Sequence, residues 1–276
     1  MKKTLLPLCL CFALPVFAKP QLELLWETSG LRVPESVLIY QQNDNKLLFV
    51  SEIDGKGNVA DGEGGVAILS TDGQIREHNW VRGLNAPKGL GVYQGKLYVA
   101  DLTEVVIIDI TTGKIVEKVV APDAVFLNDI TINADGVLYV SDTRKNRIYK
   151  LENGQISVWL ENVDRPNGLK IIEDTLYIGA AHSLLKADSS GRLSEVASGF
   201  EQVTDGVEPL ANGDFIVTCW AGIVYYVHAD GRIVKMLDTQ QQKINTADIG
   251  WDSSSNTLYV PTFFGNSVKA FRLVTD

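Results

Sequence analysis

The sequence predicts an all-β, six-bladed β-propeller on three observations. One motif returns six times, each copy carries hairpin chemistry, and the last copy lacks a strand that the N-terminus supplies. The motif is a short apolar strand with an aromatic residue in it: Lys46–Val50, Lys96–Val99, Val137–Val140, Thr175–Ile178, Asp214–Val217 and Thr257–Val260. Its aromatics, Phe49, Tyr98, Tyr139, Tyr177, Phe215 and Tyr259, recur about every 40 residues, the length of a four-stranded blade. Six copies imply six blades.

Within each copy the order is constant. A first strand, A, opens at Pro34-Glu35, Pro87-Lys88, Leu127-Asn128, Pro166-Asn167, Thr204-Asp205 and Ala247-Asp248. The aromatic strand is B, a turn leads to C, and a glycine turn at Gly73, Gly113, Gly154, Gly191 or Gly231 leads to D. No segment sustains a helical period. The sixth copy ends after strand C, at Phe271–Asp276, while Gln21–Trp26 precedes the first strand A and reads like the D strand Gln155–Trp159. Pairing that strand into the last blade closes the ring and leaves no open edge between first and last blades.

The first eighteen residues read as a secretory signal: Lys2 and Lys3, an apolar run from Leu5 to Phe17, and a Val16-Phe17-Ala18 cleavage site. The run is shorter than the roughly 20 residues of a membrane span and is broken by Pro7 and Pro15. We therefore expect a signal over 1–18, one propeller domain over 19–276, a periplasmic or secreted location, and no membrane insertion once the signal is gone. Cys9 and Cys11 follow Leu8 and Leu10 rather than a small residue, so lipid attachment is not expected. Cys219 is then the last cysteine, and an internal disulfide is excluded. The net charge of −9 argues against nucleic acid and against anionic membrane surfaces.

Strand A lines the axis of a propeller, so the residues at its starts form a ring: Glu35, Lys88, Asn128, Asn167, Asp205 and Asp248. With blades about 60° apart, Glu35 faces Asn167, Lys88 faces Asp205 and Asn128 faces Asp248. Carboxylates converging on one channel repel each other unless a cation or protons compensate. Oxygen donors from Glu, Asp and Asn suit a hard divalent cation, calcium or magnesium. The other reading is that Pro-Asn-Gly and Thr-Asp-Gly are turn sequences that recur where blades begin.

Glu35 after Pro34, Asn128-Asp129 after Phe126, Asn167-Gly168 after Pro166, and Asp205-Gly206 resemble, in order and blade placement, the site positions of the SMP-30/gluconolactonase/luciferin-regenerating family. The resemblance spans the whole mature chain through its blade repeat. It implies that Glu35, Asn167 and Asp205 hold a divalent metal, calcium first, that Asn128 contacts metal or substrate, and that Asp205 is the catalytic base or nucleophile. Two residues depart from the pattern. Phe126 stands where sugar-lactonase members often carry Arg, which implies a less polar substrate or none, and an ammonium group at Lys88 aimed at Asp205 would replace part of the metal's charge.

Around the ring, His182 in the B–C turn of blade four is either an acid–base group or a plain turn residue. Trp220, Phe263 and Phe264 are either apolar walls of a pocket or packing between blades. The loop from Glu52 to Gly65, with Asp54, Asp61 and Glu63, reads as a lid, a second cation site or a solvated acidic loop. His78 and His228 fall away from this mouth. No nucleophile elbow, Walker loop, zinc spacing or nucleotide fingerprint is present. The expected function is an exported, metal-dependent hydrolase of lactones or related esters, with Asp205 catalytic and Asn128, Lys88, His182 and Trp220 contacting a small-molecule substrate. The alternative is a propeller that binds a small molecule or a protein without catalysis.

Overall fold

A computed structural model describes residues 19–42 and 45–275; the expected export signal, 1–18, lies outside the described residues. Six four-stranded antiparallel sheets follow one another along the chain, and five of them are built from four consecutive strands. The sixth is made of Gly250–Asp252, Thr257–Pro261, Ser267–Val274 and, as its outer strand, Gln21–Ser29. The expected closure is thus present. Gln21 pairs with Val274 and Ser29 with Ser267 along the seam.

The side chains explain why this strand docks there. Trp26 lies 5.8 Å, ring to ring, from the strand B aromatic Tyr259. Trp80 holds the same relation to Phe49 in blade one, at 4.9 Å, and Trp159 to Tyr139 in blade three, at 4.8 Å. The N-terminal strand therefore repeats the outer-strand chemistry of other blades, and each aromatic pair adds stabilisation beyond its buried area.

The core is not central. It is divided into clusters that lie between neighbouring blades, for example Phe49, Val66 and Leu84 of blade one against Leu90, Leu97 and Val99 of blade two. Alternation along each strand puts one residue set against each neighbouring blade, which is why strands B and C are buried on both faces while the outer strands are largely exposed. No helix among the described residues is long and apolar enough to cross a membrane. The two short 3₁₀ turns are Gln240–Gln242 and Phe263–Gly265.

What remains at the axis is a channel lined by the A strands. Its walls come within contact of one another only because glycines sit there. A Cβ on Gly168 would fall 2.0 Å from the Asp205 carbonyl oxygen, and one on Gly206 would fall 2.6 Å from the Ile249 amide nitrogen. Neither glycine has a positive φ. The Asn-Gly and Asp-Gly pairs are therefore strand residues chosen for close approach, not turn residues.

Candidate functional site

In five blades the pairing of strands A and B slips where the strand opens: between Pro34 and Ser36, Pro87 and Leu90, Leu127 and Ile130, Pro166 and Leu169, and Thr204 and Val207. A bulge breaks the strict alternation of side chains and re-aims them. Successive polar residues are consequently buried together, Glu35 with Ser36 and Asn128 with Asp129. Three of the bulges are clamped by a hydroxyl from strand B. The amides of Ser36, Asp129 and Gly206 donate to Ser51 Oγ, Ser141 Oγ and Thr218 Oγ1 at 2.8–3.0 Å.

Those hydroxyls also fix which residues are equivalent. Ser141 Oγ donates onward to the Asn167 carbonyl at 2.8 Å, and Thr218 Oγ1 to the Ala247 carbonyl at 2.9 Å. Asp248 stands beside Ser36 in a parallel bridge, and its amide donates to the Glu35 carbonyl at 3.0 Å. This corrects the ring derived from the sequence. Ala247, not Asp248, fills the blade-six place beside Glu35, Asn128, Asn167 and Asp205, and Asp248 belongs one step deeper with Ser36 and Asp129.

The outer tier brings together the three residues expected to hold a metal. Glu35, Asn167 and Asp205 are 4 %, 8 % and 1 % exposed. Asn167 is hydrogen-bonded to the Asp205 carboxylate. Burial first, then the charges of Asp205 and Asp248, push Glu35 well above its ordinary carboxylate pKa, against a smaller opposite pull from Lys88. Burial and then Asp248 do the same to Asp205. Each of the three residues also keeps one buried oxygen, Glu35 Oε2, Asn167 Oδ1 and Asp205 Oδ1, with no hydrogen-bond partner. Such orphaned acceptors are costly and uncommon in a folded core. Among the described residues no three His, Cys, Asp or Glu side chains gather as a cage; the third member of this set is an amide. Two carboxylates and an amide oxygen, all hard donors, fit a calcium-like cation.

The inner tier opens into a channel cavity of about 270 Å³ lined by Ser36, Asp129, Thr131, Lys170, Glu208 and Asp248 among aliphatic residues. Its carboxylates are engaged. Asp129 accepts the Ile130 and Leu169 amides, both at 2.6 Å, Asp248 accepts Ser36 Oγ at 2.5 Å, and Glu208 accepts Lys170 Nζ at 2.8 Å. These contacts staple blade three to four, six to one, and four to five. Burial nonetheless raises Asp248 to about 7.

Other expected residues are placed as follows. Lys88 is 2 % exposed; its Nζ donates to the Ala86 carbonyl at 2.8 Å and lies 4.4 Å from the Phe126 ring centroid. Burial lowers its pKa to about 8, and its charge is felt by Glu35 and Asp101 rather than by the Asp205 it was expected to face. Asn128 Nδ2 donates to Thr143 Oγ1 at 3.0 Å. His182 Nδ1 meets the Phe200 carbonyl at 2.8 Å, so the ring is fixed toward the next blade's loop. Trp220, 39 % exposed, packs edge-on against Phe263 and Phe264 at 5.4 and 6.0 Å, forming an aromatic rim. The acidic loop after Glu52 is pinned by ion pairs, with Asp54 bound to Arg82 at 2.9 Å and to Arg32 at 3.3 Å.

The residues that shape the mouth from strand B went unnoticed in the sequence. Asp101 accepts the Asn85 and Ala86 amides, and Asp142 those of Val125, Phe126, Arg144 and Lys145. Both acids hold the loop that delivers a ring residue. The recurring acid that ends strand B, in Ser51-Glu52, Ala100-Asp101 and Ser141-Asp142, was the available signal.

No protein-family model and no curated protein matches the chain. Among solved structures it is similar to a catalytically inactive virginiamycin B lyase from Staphylococcus aureus with quinupristin. The identity is 17 %, the coverage 93 % of this chain and 99 % of that one, and the TM-score 0.64. It is also similar to a streptogramin B lyase, at 12 % identity, with 93 % and 98 % coverage and a TM-score of 0.66. At these identities the likeness establishes the propeller fold over nearly the full length of both chains.

Proposed function

We propose that this protein is an exported hydrolase of lactones or related esters whose outer channel tier binds a divalent cation, calcium, through Glu35, Asn167 and Asp205. The observation that carries the reading is that these three residues each keep a buried, partnerless oxygen, while comparable carboxylates one step deeper are satisfied. A bound cation would polarise an ester carbonyl. Asp205 has a free Oδ1 to accept a proton from water or to attack, and the Asn167 hydrogen bond fixes its orientation. Lys88 offsets part of the Glu35 charge. Asn128, His182 and Trp220 are the residues this reading assigns to substrate contact. The similarity to solved lyases supports this only in showing that bond-breaking chemistry is housed on such a propeller.

One observation favours a second reading, capture without turnover. The His182 ring nitrogen Nδ1 is committed to the Phe200 carbonyl, whereas Trp220 and Phe264, 39 % and 62 % exposed, offer an apolar landing surface. The two readings separate in one experiment. The mature protein is stripped with EDTA, assayed on a lactone panel with and without calcium, and followed by thermal unfolding. The hydrolase reading expects calcium-dependent turnover and a higher Tm, because a ligand bound only to the folded state stabilises it. A Tm that calcium leaves unmoved, together with no turnover, overturns it.

A further inference from the structure

Phe126 gathers two cations. The Lys88 ammonium nitrogen and the Arg144 guanidinium carbon each lie 4.4 Å from its ring centroid. Neither cation has a carboxylate at ion-pairing distance among the described residues; the hydrogen-bond acceptor of Lys88 is the Ala86 carbonyl. For Lys88 this is unusual: it is 2 % exposed in a chain where 34 acidic residues outnumber 25 basic ones, and the half-buried cations Arg32 and Arg82 are paired, whereas Arg144 is exposed and free to reach a ligand. The location is specific too. Lys88 belongs to the outer tier, and Arg144 follows Thr143, the residue that receives the Asn128 amide.

The chemistry of the pair points to its ligand. A lysine ammonium has three donors, and one here is used on a carbonyl; an arginine presents five in a planar fork suited to carboxylate or phosphate. The Phe126 ring attracts both cations and sets their positions in advance, without supplying a formal negative charge. Lys88 and Arg144 repel each other, and the Glu35 and Asp101 carboxylates that Lys88 feels lie beyond ion-pairing distance, so an anion reaching both cations adds charge-assisted contacts that the protein does not make.

We propose that Lys88 and Arg144, held on Phe126, form an anion-binding arm of the outer tier, so that the ester or lactone accepted here carries a carboxylate or another oxyanion beside its scissile group. This substrate class rests on the hydrolase reading above, whereas the anion site itself does not. The cation tier binds the carbonyl end, the arm binds the anionic end, and the aromatic rim of Trp220 covers the apolar part.

Two measurements test it. A γ-butyrolactone bearing a ring carboxylate and its neutral amide are compared as substrates, and phthalate and its neutral diamide are compared as ligands by calorimetry. The wild type should favour the anionic member of each pair by about tenfold or more, the effect of a charge-assisted hydrogen bond. Arg144→Glu should abolish both preferences, and Lys145→Glu, a change of the same charge at the next exposed residue, should keep them. Loss of turnover on every lactone with the phthalate preference intact would sink the hydrolase reading and leave the arm standing. Equal binding of phthalate and its diamide, or a preference that survives Arg144→Glu, overturns the arm and leaves hydrolysis of neutral lactones untouched.

Discussion

At the outer tier of the channel Glu35, Asn167 and Asp205 each keep a buried oxygen without a partner, whereas one residue further in Asp129 is bound to its own Ile130 amide and the Leu169 amide of the next blade, and Asp248 to the Ser36 hydroxyl of blade one. Both tiers lie where the innermost strands of the blades open, use the same residue types and are similarly buried. Burial raises the carboxyls of both. Burial and residue type therefore do not tell a structural acid from a functional one. Partnership separates them: the inner acids are satisfied within the protein, and the outer ones keep the unpartnered oxygens on which the proposed cation site rests.

The largest expected effect removes the frame on which both tiers depend. Deleting residues 19–27 takes away most of the outer strand of blade six and its Trp26 contact with Tyr259, leaving Ser267–Val274 as an open edge. The Tm should fall by more than about 10 °C, since a change of ~1 kcal/mol moves a domain of this size by about 2–4 °C. A truncated protein that melts with the full mature chain would show that the seam between blades six and one does not depend on this strand.

The second test contrasts the tiers directly. Asp129→Ala strands two buried amides, of Ile130 and Leu169, and should cost about 3 kcal/mol in denaturant unfolding. Asp205→Asn, measured without metal, removes a buried charge repelled by Asp248 and should leave stability within about 1 kcal/mol of the wild type or raise it. Equal losses in the two variants would erase the distinction between tiers.

Much of this was legible beforehand, for physical reasons. The blade count, strand order and closure follow from hydrophobic alternation and turn residues, which are local signals, and Trp26 announced itself by its likeness to Trp159. Residue type and order also singled out Glu35, Asn167 and Asp205, which the structure brings into one tier. The tiers were not legible, because a bulge shifts the register by one residue without changing composition, so Asp248 was aligned with Asp205 when Ala247 is its equivalent. Nor was the direction of Lys88. Blade symmetry placed it opposite Asp205, but a long side chain settles on whatever lies nearby, and here that is the Ala86 carbonyl and Phe126.

The last expected effect, and the one in which protons and a cation compete for the outer tier, is the dependence of stability on pH. Glu35 and Asp205 are held above their unfolded values of 4.5 and 3.8 chiefly by burial, and Asp248 reaches about 7. A carboxyl with a raised folded pKa binds its proton more tightly in the folded chain. Its contribution to stability is full below the unfolded value and is lost as pH rises through the folded one. In EDTA the Tm should therefore decline from about pH 5 to pH 8, at up to ~1.4 kcal/mol per pH unit for each proton of difference. Asp205→Asn removes one such group and should flatten the decline. Calcium competes with protons for the same oxygens, so its stabilisation should grow over that range and reverse part of the loss. A Tm in EDTA that rises with pH over this interval, or a calcium effect of one size at pH 5 and pH 8, would mean that the orphaned oxygens of the outer tier neither hold protons nor exchange them for a cation.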